Sequence, residues 1–178
     1  IDMDMIPFGQ LQLMSPPSSD VKKTVMDKGD IALAGKGVNR ICQLSRDQME
    51  TFITIRAMAA SPLMMGGDLP SLDMFSLSLI TDVDMLACNQ NGVMGSLIYA
   101  KDDIEVWKTE KKGSAQVAWV AIFNRSEVVK PIVLSAAKLG LKEISSIRLR
   151  NIWKKAKLDL NELVKIPING VIFIAVNQ

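Results

Sequence analysis

The spacing at which apolar residues recur changes once along this chain, at Asn91-Gly92. Between Leu44 and Asn91, apolar residues recur at three- and four-residue spacing, which is typical of amphipathic helices. After Gly92, short segments rich in Val, Ile, Trp and Phe alternate with turn residues, which is typical of strands. Because the two kinds of segment are separated along the chain, we predict an α/β domain over residues 1–91 and an all-β domain over residues 92–178.

A helix is predicted to begin near Arg46. Ser45 and Gln48 have the spacing of a capping box, in which each residue satisfies a backbone N–H at the helix start. Pro62 ends the helical pattern, because the residue before a proline is disfavoured in the helical region. One stripe of this helix is apolar and is expected to face a core. The stripe consists of Met49, Phe52, Ile53, Ala57 and Ala60.

The apolar run Leu63-Met64-Met65 follows the helix and is closed by Gly66-Gly67-Asp68. Such a run fits a short strand buried on both faces, as in parallel sheets, although periodicity alone does not separate it from more helix. Helix, strand, glycine-rich turn and helix is the order of an α/β barrel or a doubly wound sheet. So small a part of a barrel leaves the helix stripe and the strand without partners, and we expect this region either to pack against an absent segment of the same protein or to associate.

The β-rich portion predicts an antiparallel sandwich, because its short strands follow one another without intervening helices. Three tryptophans, Trp107, Trp119 and Trp153, lie in or beside these strands. They could stack on a saccharide, but tryptophans in sandwich strands are more often part of the core. The strands are predicted over residues 96–100, 104–108, 116–124, 128–135, 145–152 and 170–176.

Two strings, RAMAASPLMMGGDL and CNQNGVMG, resemble the end of the barrel in glycoside hydrolase family 27, the α-galactosidases and α-N-acetylgalactosaminidases. Ser61-Pro62-Leu63, Asp68-Leu69 and Asn89-Gln90 occupy the positions of the family pattern. Arg56 stands where the family has Trp, and Asn91 stands where it has Asp. In the β-rich portion, three stretches are similar to the family's C-terminal domain: Phe123-Asn124-Arg125, Arg150-Asn151-Ile152-Trp153 and the run from Pro167 to Val176.

The resemblance implies the last two strand–helix units of a (β/α)8 TIM barrel, followed by a Greek-key antiparallel β-sandwich. It also implies a partner, the N-terminal barrel segment of the same protein, because a chain that opens at Ile1-Asp2 reads as part of a longer polypeptide. A long loop over residues 14–44 would lie on the active-site face of the barrel and shape the rim of the pocket.

The opening segment Asp2-Met3-Asp4-Met5 is similar to the end of the family's Trp-Asn-Asp-Pro-Asp-Met motif, with Met3 in place of Pro. By this resemblance Asp4 binds hydroxyls of the sugar ring, Asp2 is its neighbour and Met5 forms part of the pocket wall. A carboxylate suits this role because its two oxygens can accept hydrogen bonds from hydroxyl groups on adjacent ring carbons. Alternatively, Asp2 and Asp4 are exposed strand-end carboxylates, or, more weakly supported, part of a metal site.

The resemblance implies a retaining glycoside hydrolase that removes terminal α-galactosyl or related α-glycosyl residues from a carbohydrate substrate without a cofactor. A retaining enzyme needs a nucleophilic carboxylate and an acid/base carboxylate about 5 Å apart. Both are expected upstream of this chain, so no catalytic residue is assigned here and the fragment alone is expected to be inactive. Two alternatives remain open: a non-catalytic carbohydrate-binding or structural sandwich module, and a hydrolase of the same fold acting on an α-glucan or an α-N-acetylgalactosaminide.

Composition narrows the function classes. The chain contains no histidine, which excludes a Ser-His-Asp triad and imidazole zinc sites within it. The 21 basic and 19 acidic residues are nearly balanced, so we expect no nucleic-acid partner. Cys42 and Cys88 predict no disulfide scaffold and no metal site, and no apolar run is long enough for membrane insertion. By resemblance, the protein is secreted or periplasmic.

Overall fold

A computed structural model of the chain describes residues 2–11, 40–114, 117–142 and 147–177. Most of the loop predicted over residues 14–44, and the first residues of the strands predicted over 116–124 and 145–152, lie outside this description. The chain forms two compact units, residues 1–3, 44–62 and 78–178 in the first and residues 4–43 and 63–77 in the second, each less the residues not described.

The described helices and strands follow one another in a simple order. They are β1 (Gln10–Leu11), β2 (Arg40–Ile41), α1 (Arg46–Met58), α2 (Met74–Ile80), α3 (Val83–Gln90), β3 (Ser96–Lys101), β4 (Ile104–Glu110), β5 (Val117–Asn124), β6 (Lys130–Val133), β7 (Arg148–Asn151), β8 (Lys157–Leu158), β9 (Leu163–Ile166) and β10 (Val171–Asn177). A short 3₁₀ helix, Leu69–Ser71, precedes α2.

An antiparallel six-stranded sheet, in the order β3-β4-β5-β10-β7-β8, dominates the first unit. A second sheet pairs β6 with β9. Antiparallel strands thus make up most of the first unit, as expected for the β-sandwich domain of family 27 enzymes. The last strand, β10, lies between β5 and β7, so the sheet is not a simple meander.

Alternate side chains on the six-stranded sheet form one hydrophobic core together with β6 and β9. Every second residue along a strand lies on the same face, so β5 contributes Val120 and Ile122 to this core, and β10 contributes Ile172 and Ile174. The second sheet covers them with Ile132, Val164 and Ile166.

Helix α1 covers the other face of the six-stranded sheet, where it contacts β4, β5 and β10. Hydrogen bonds fix its position. Trp153 Nε1 donates to Thr54 Oγ1 at 2.9 Å, and Thr51 Oγ1 donates to the carbonyl of Asn169 at 2.8 Å. The Trp153 ring also lies 5.8 Å from the ring of Phe173 on β10. These contacts explain why β5 and β10 are apolar at successive positions, since both faces are covered.

The predicted start of α1 is confirmed. Ser45 Oγ accepts from the N–H of Gln48 at 3.2 Å, and Gln48 Oε1 accepts from the N–H of Ser45 at 2.9 Å, which completes the capping box. The expectation that the apolar stripe lacks a partner is wrong. Met49, Ile53 and Ala57 are buried, because the sheet provides the partner that the predicted barrel fragment did not.

The second unit contains the other predicted strand region. Ile6 forms a single parallel bridge with Met65, and β1 pairs with β2 in the antiparallel sense. The prediction of a strand covered on both faces at Leu63–Met65 is wrong, because Met64 is 53% exposed and this run makes only that bridge among the described residues. Position 67 requires glycine, because a Cβ there would lie 1.7 Å from the carbonyl oxygen of Phe8.

Helix α3 begins at an aspartate that caps it. Asp82 Oδ1 accepts from the N–H groups of Asp84 and Met85, both at 3.0 Å. Lys155 pairs with Asp82, and Arg150 Nη2 lies 2.6 Å from Asp84 Oδ2. Although burial of the Asp84 carboxyl group raises its pKa, hydrogen bonds and charge from Arg150 and Lys155 outweigh this effect, and the pKa of Asp84 is lowered.

The cap of α3 can be tested by replacing Asp82 with Ala. We expect D82A to lower the free energy of unfolding by about 1 kcal/mol, because two N–H groups at the helix start lose their acceptor. Urea unfolding followed by circular dichroism measures the loss. The matched control is D82N, which keeps a capping oxygen and removes only the charge opposite Lys155, whose side chain is half-exposed. Equal losses in both variants would assign the stability to the ion pair instead.

Candidate functional site

The segment Asp2–Met5 places its two carboxylates in an exposed position. Asp4 has a φ of 64°, in the left-handed region that residues other than glycine rarely occupy. Its Oδ1 accepts from the N–H of Met5 at 2.7 Å, and the Met5 side chain is 52% exposed. Asp2 is exposed as well. Aspartate adopts this conformation more readily than most other residues, and here its carboxylate is exposed and could meet a ligand.

The predicted sugar-binding residues stay predictions. Asp2 belongs to the first compact unit, whereas Asp4 and Met5 belong to the second. Between the two carboxylates, the half-buried Met3 is held through both of its backbone polar groups, by Ser61 and by Arg56. The segment therefore carries one exposed carboxylate on each side of a residue with a fixed backbone.

A cavity of about 550 Å³ lies in the first unit, beside α1. Its wall is mainly apolar and is formed by residues from α1, from the segment that leads into β3 and from the sheet. It includes Ile55, Met58, Met94, Trp107 and Phe123. The volume is within the range that small-molecule sites occupy.

The polar part of the cavity wall contains an ion pair. Glu105 Oε1 lies 3.1 Å from Arg125 Nη1, and Glu105 Oε2 accepts from Trp107 Nε1 at 3.2 Å. Glu105 is the only carboxylate among the described residues of this wall. Since a retaining glycosidase needs two carboxylates about 5 Å apart, this cavity does not contain such a catalytic pair.

The three tryptophans differ in their surroundings. Trp119 is 5% exposed in β5 and belongs to the packed interior. Trp153 is half-buried and packs on α1 and Phe173. Trp107 is also half-buried, and it lines the cavity.

Sequence reasoning missed the role of two side chains that contact the candidate segment. Arg56 is 5% exposed and Ser61 is 1% exposed, and both bond to the backbone of Met3. A signal was present, because Arg56 departs from the family pattern and Ser61 matches it. The pattern did not indicate what either residue contacts, since Met3 lies more than fifty positions away in the sequence.

The described residues contain neither a candidate metal centre nor a membrane-spanning helix. The described residues include no group of three His, Cys, Asp or Glu side chains that could hold a metal ion. Cys42 and Cys88 are both free thiols; Cys88 is buried, and burial raises its pKa. Among the helices of the described residues, none is long and apolar enough to cross a membrane.

Comparison with known proteins relates the chain to glycosidases. α-Galactosidase 2 of Arabidopsis thaliana is 28% identical over 115 residues, which cover 62% of this chain and 28% of the relative. Human α-galactosidase A is 34% identical over 102 residues, which cover 54% of this chain and 23% of the relative. No protein-family model matches the chain.

Solved structures extend the likeness to nearly the whole chain. A family 27 β-L-arabinopyranosidase from Geobacillus stearothermophilus superposes with a TM-score of 0.77 at 26% identity, covering 99% of this chain and 37% of that one. A protein from Bacillus halodurans named as a candidate α-N-acetylgalactosaminidase gives the same TM-score at 25% identity, covering 99% and 38%. The chain thus spans between about a quarter and two fifths of the length of these relatives.

One carboxylate of the described chain has a strongly raised pKa. Glu50, on α1, is half-buried, and its pKa is raised from 4.5 to about 7, mainly by burial and further by the charge of Asp47, while Lys154 opposes the shift. Between pH 4.5 and pH 7 the folded chain therefore binds more protons than the unfolded chain. Stability falls as the pH rises through this window, because the buried carboxylate must ionise.

Replacement of Glu50 by Gln tests this effect. We expect E50Q to raise the melting temperature relative to the parent chain at pH 8 and to leave it unchanged at pH 4, where the carboxyl group is protonated in both states. Scanning calorimetry at both pH values measures the difference. The control is E127Q, at an exposed glutamate, for which we expect no such pH-dependent gain. A gain of E50Q that is equal at pH 4 and pH 8 would contradict a role for ionisation.

Proposed function

We propose that this chain, which matches the C-terminal portion of glycoside hydrolase family 27 enzymes, supplies part of the sugar-binding site of a retaining glycosidase. The observation that supports this proposal is that Asp4, in the segment that resembles the family's sugar-binding motif, is exposed and has a left-handed backbone conformation. Asp4 accepts hydrogen bonds from hydroxyl groups of the sugar, Asp2 is its neighbour, and Met5 lines the pocket.

The substrate proposed is a terminal α-galactosyl residue or a related α-glycosyl residue. The similarity to α-galactosidases from plants and human supports this class. An ionised carboxylate can accept hydrogen bonds from two hydroxyls on neighbouring ring carbons, which orients the ring and discriminates between epimers. A substrate hydroxyl that loses this acceptor is left without a partner in a closed site, so the contact contributes to specificity.

The reaction itself requires groups that we do not assign in this chain. The nucleophile and the acid/base carboxylate are proposed to lie in a preceding barrel segment of the same polypeptide, and this chain alone is expected to be inactive. The parallel bridge between Ile6 and Met65 supports the interpretation of the α/β portion as the end of a (β/α)8 barrel, because neighbouring barrel strands pair in this sense. Residues 1–91 would then complete the barrel, and residues 92–178 would form the sandwich. By resemblance, the enzyme is secreted or periplasmic.

The role of Asp4 is tested in the protein that carries this chain. We expect D4N to raise KM for p-nitrophenyl α-D-galactopyranoside about tenfold, because an amide replaces a charged acceptor of the sugar hydroxyls. Asn tolerates the left-handed backbone, so the fold is retained. The matched control is D102N, the same change at an exposed aspartate with a φ of 51°. KM values for D4N and D102N that both equal that of the parent would reject the proposed sugar contact.

A second candidate, a non-catalytic carbohydrate-binding module, is favoured by the cavity with its half-buried tryptophan. Aromatic rings and a charged pair in one pocket suit a sugar ring. Under this alternative, the 178-residue chain binds D-galactose in an NMR titration and W107F weakens the binding, because the smaller ring also lacks the Nε1 donor. The control W119F changes a tryptophan of the packed sheet. Absence of binding by the parent chain rejects this candidate.

A further inference from the structure

Arg56 reaches from α1 to the candidate sugar-binding segment. Its Nη2 donates to the carbonyl oxygen of Met3 at 2.5 Å, and its Nη1 donates to the carbonyl oxygen of Phe52 at 3.3 Å. The guanidinium carbon lies 3.5 Å from the centre of the Phe52 ring, and the residue is 5% exposed. A planar guanidinium held by a ring and a carbonyl loses little further freedom when it donates to a third group.

Ser61 holds the other polar group of Met3. The Met3 N–H donates to Ser61 Oγ at 3.1 Å, and Ser61 is 1% exposed. Helix α3 supports both partners, because Asn89 Nδ2 donates to the carbonyls of Ser61 at 2.8 Å and of Arg56 at 3.3 Å. We call Arg56, Ser61 and Asn89 the Met3 clamp. All of its members and Met3 lie in the first unit.

The clamp acts on Asp4 through the peptide bond. The carbonyl of Met3 and the N–H of Asp4 belong to one planar peptide group, so a hydrogen bond that orients the carbonyl also orients the amide of Asp4. Only the rotations at Asp4 itself then remain, and the contact from its Oδ1 to the Met5 N–H restricts these. The left-handed φ of Asp4 is thus held from both sides.

We propose that Arg56, together with Ser61, is a positioning residue that fixes the Met3–Asp4 peptide and thereby aims the Asp4 carboxylate at the sugar. This inference rests on the proposed function of Asp4. Two of the three departures from the family pattern contact one another: Met3 stands in place of Pro and Arg56 in place of Trp. A proline would fix φ but has no N–H for Ser61. In this chain hydrogen bonds at Met3 replace the ring constraint.

The proposal is tested with R56M and S61A in the protein that carries this chain. Two quantities are measured: amide hydrogen exchange at Met3, and kcat and KM for p-nitrophenyl α-D-galactopyranoside. We expect R56M to accelerate exchange at Met3 and to raise KM about tenfold, because the methionine side chain has no N–H group to donate to the Met3 carbonyl. We expect kcat to change less than KM, since the reacting groups are untouched. S61A is expected to produce the same pattern with a smaller increase in KM.

Two further variants complete the test. R56K retains a charged donor, so we expect its KM to lie between the KM of R56M and that of the parent. A purely structural role would not predict this. R148M makes the Arg-to-Met change at an exposed position of β7 and is expected to leave exchange at Met3 and KM unchanged. If R56M is too unstable to measure, S61A and R56K decide the question.

The outcomes separate this inference from the proposed function. A raised KM in D4N with an unchanged KM in R56M, R56K and S61A overturns the positioning role and leaves the sugar contact intact. An unchanged KM in D4N, or a parent protein inactive on the α-galactoside, rejects the proposed function and the positioning role with it. The proposal is also overturned if exchange at Met3 is accelerated but R56M and R148M change KM and kcat to the same extent.

Discussion

The pairing of β5 with β10 is the interaction on which the first unit depends. The two strands form a continuous antiparallel register from Val171 opposite Phe123 to Asn177 opposite Val117. Both are covered on two faces, so their backbone groups must pair with each other or with neighbouring strands to avoid the cost of burial without hydrogen bonds. The sheet then serves two layers at once, the β6–β9 pair on one face and α1 on the other.

Two asparagine side chains, Asn124 and Asn91, hold backbone segments together. Asn124 is 2% exposed, and its Nδ2 donates to the carbonyls of Val128 and Pro167 while its Oδ1 accepts from the N–H of Ser126. The half-buried Asn91 likewise donates to the carbonyl of Glu110 and accepts from the N–H of Lys112. Amides satisfied in this manner stabilise loops, whereas the carboxylates of Asp2 and Asp4 are exposed.

The sequence-based predictions were accurate where the interactions join residues that are close together in the sequence. The helix start at Arg46 was predictable because it depends on residues a few positions apart. The strands β8 and β9 were not predicted, because they are two and four residues long and lie within a polar, turn-rich segment. The partner of the α1 stripe was also missed, since a pattern of apolar residues does not identify what covers it.

The sequence by itself determined the change from helices to strands, the start of α1 and the resemblance to glycosidases, since periodicity, capping and motifs are local properties of the chain. Tertiary structure alone decided that Trp153 bonds to Thr54, ninety-nine positions away, and that Arg56 bonds to Met3, fifty-three positions away. It also decided which tryptophan lines the cavity. The physical reason is that a buried donor needs an acceptor nearby in space, and only the tertiary packing of α1 brings these distant residues together.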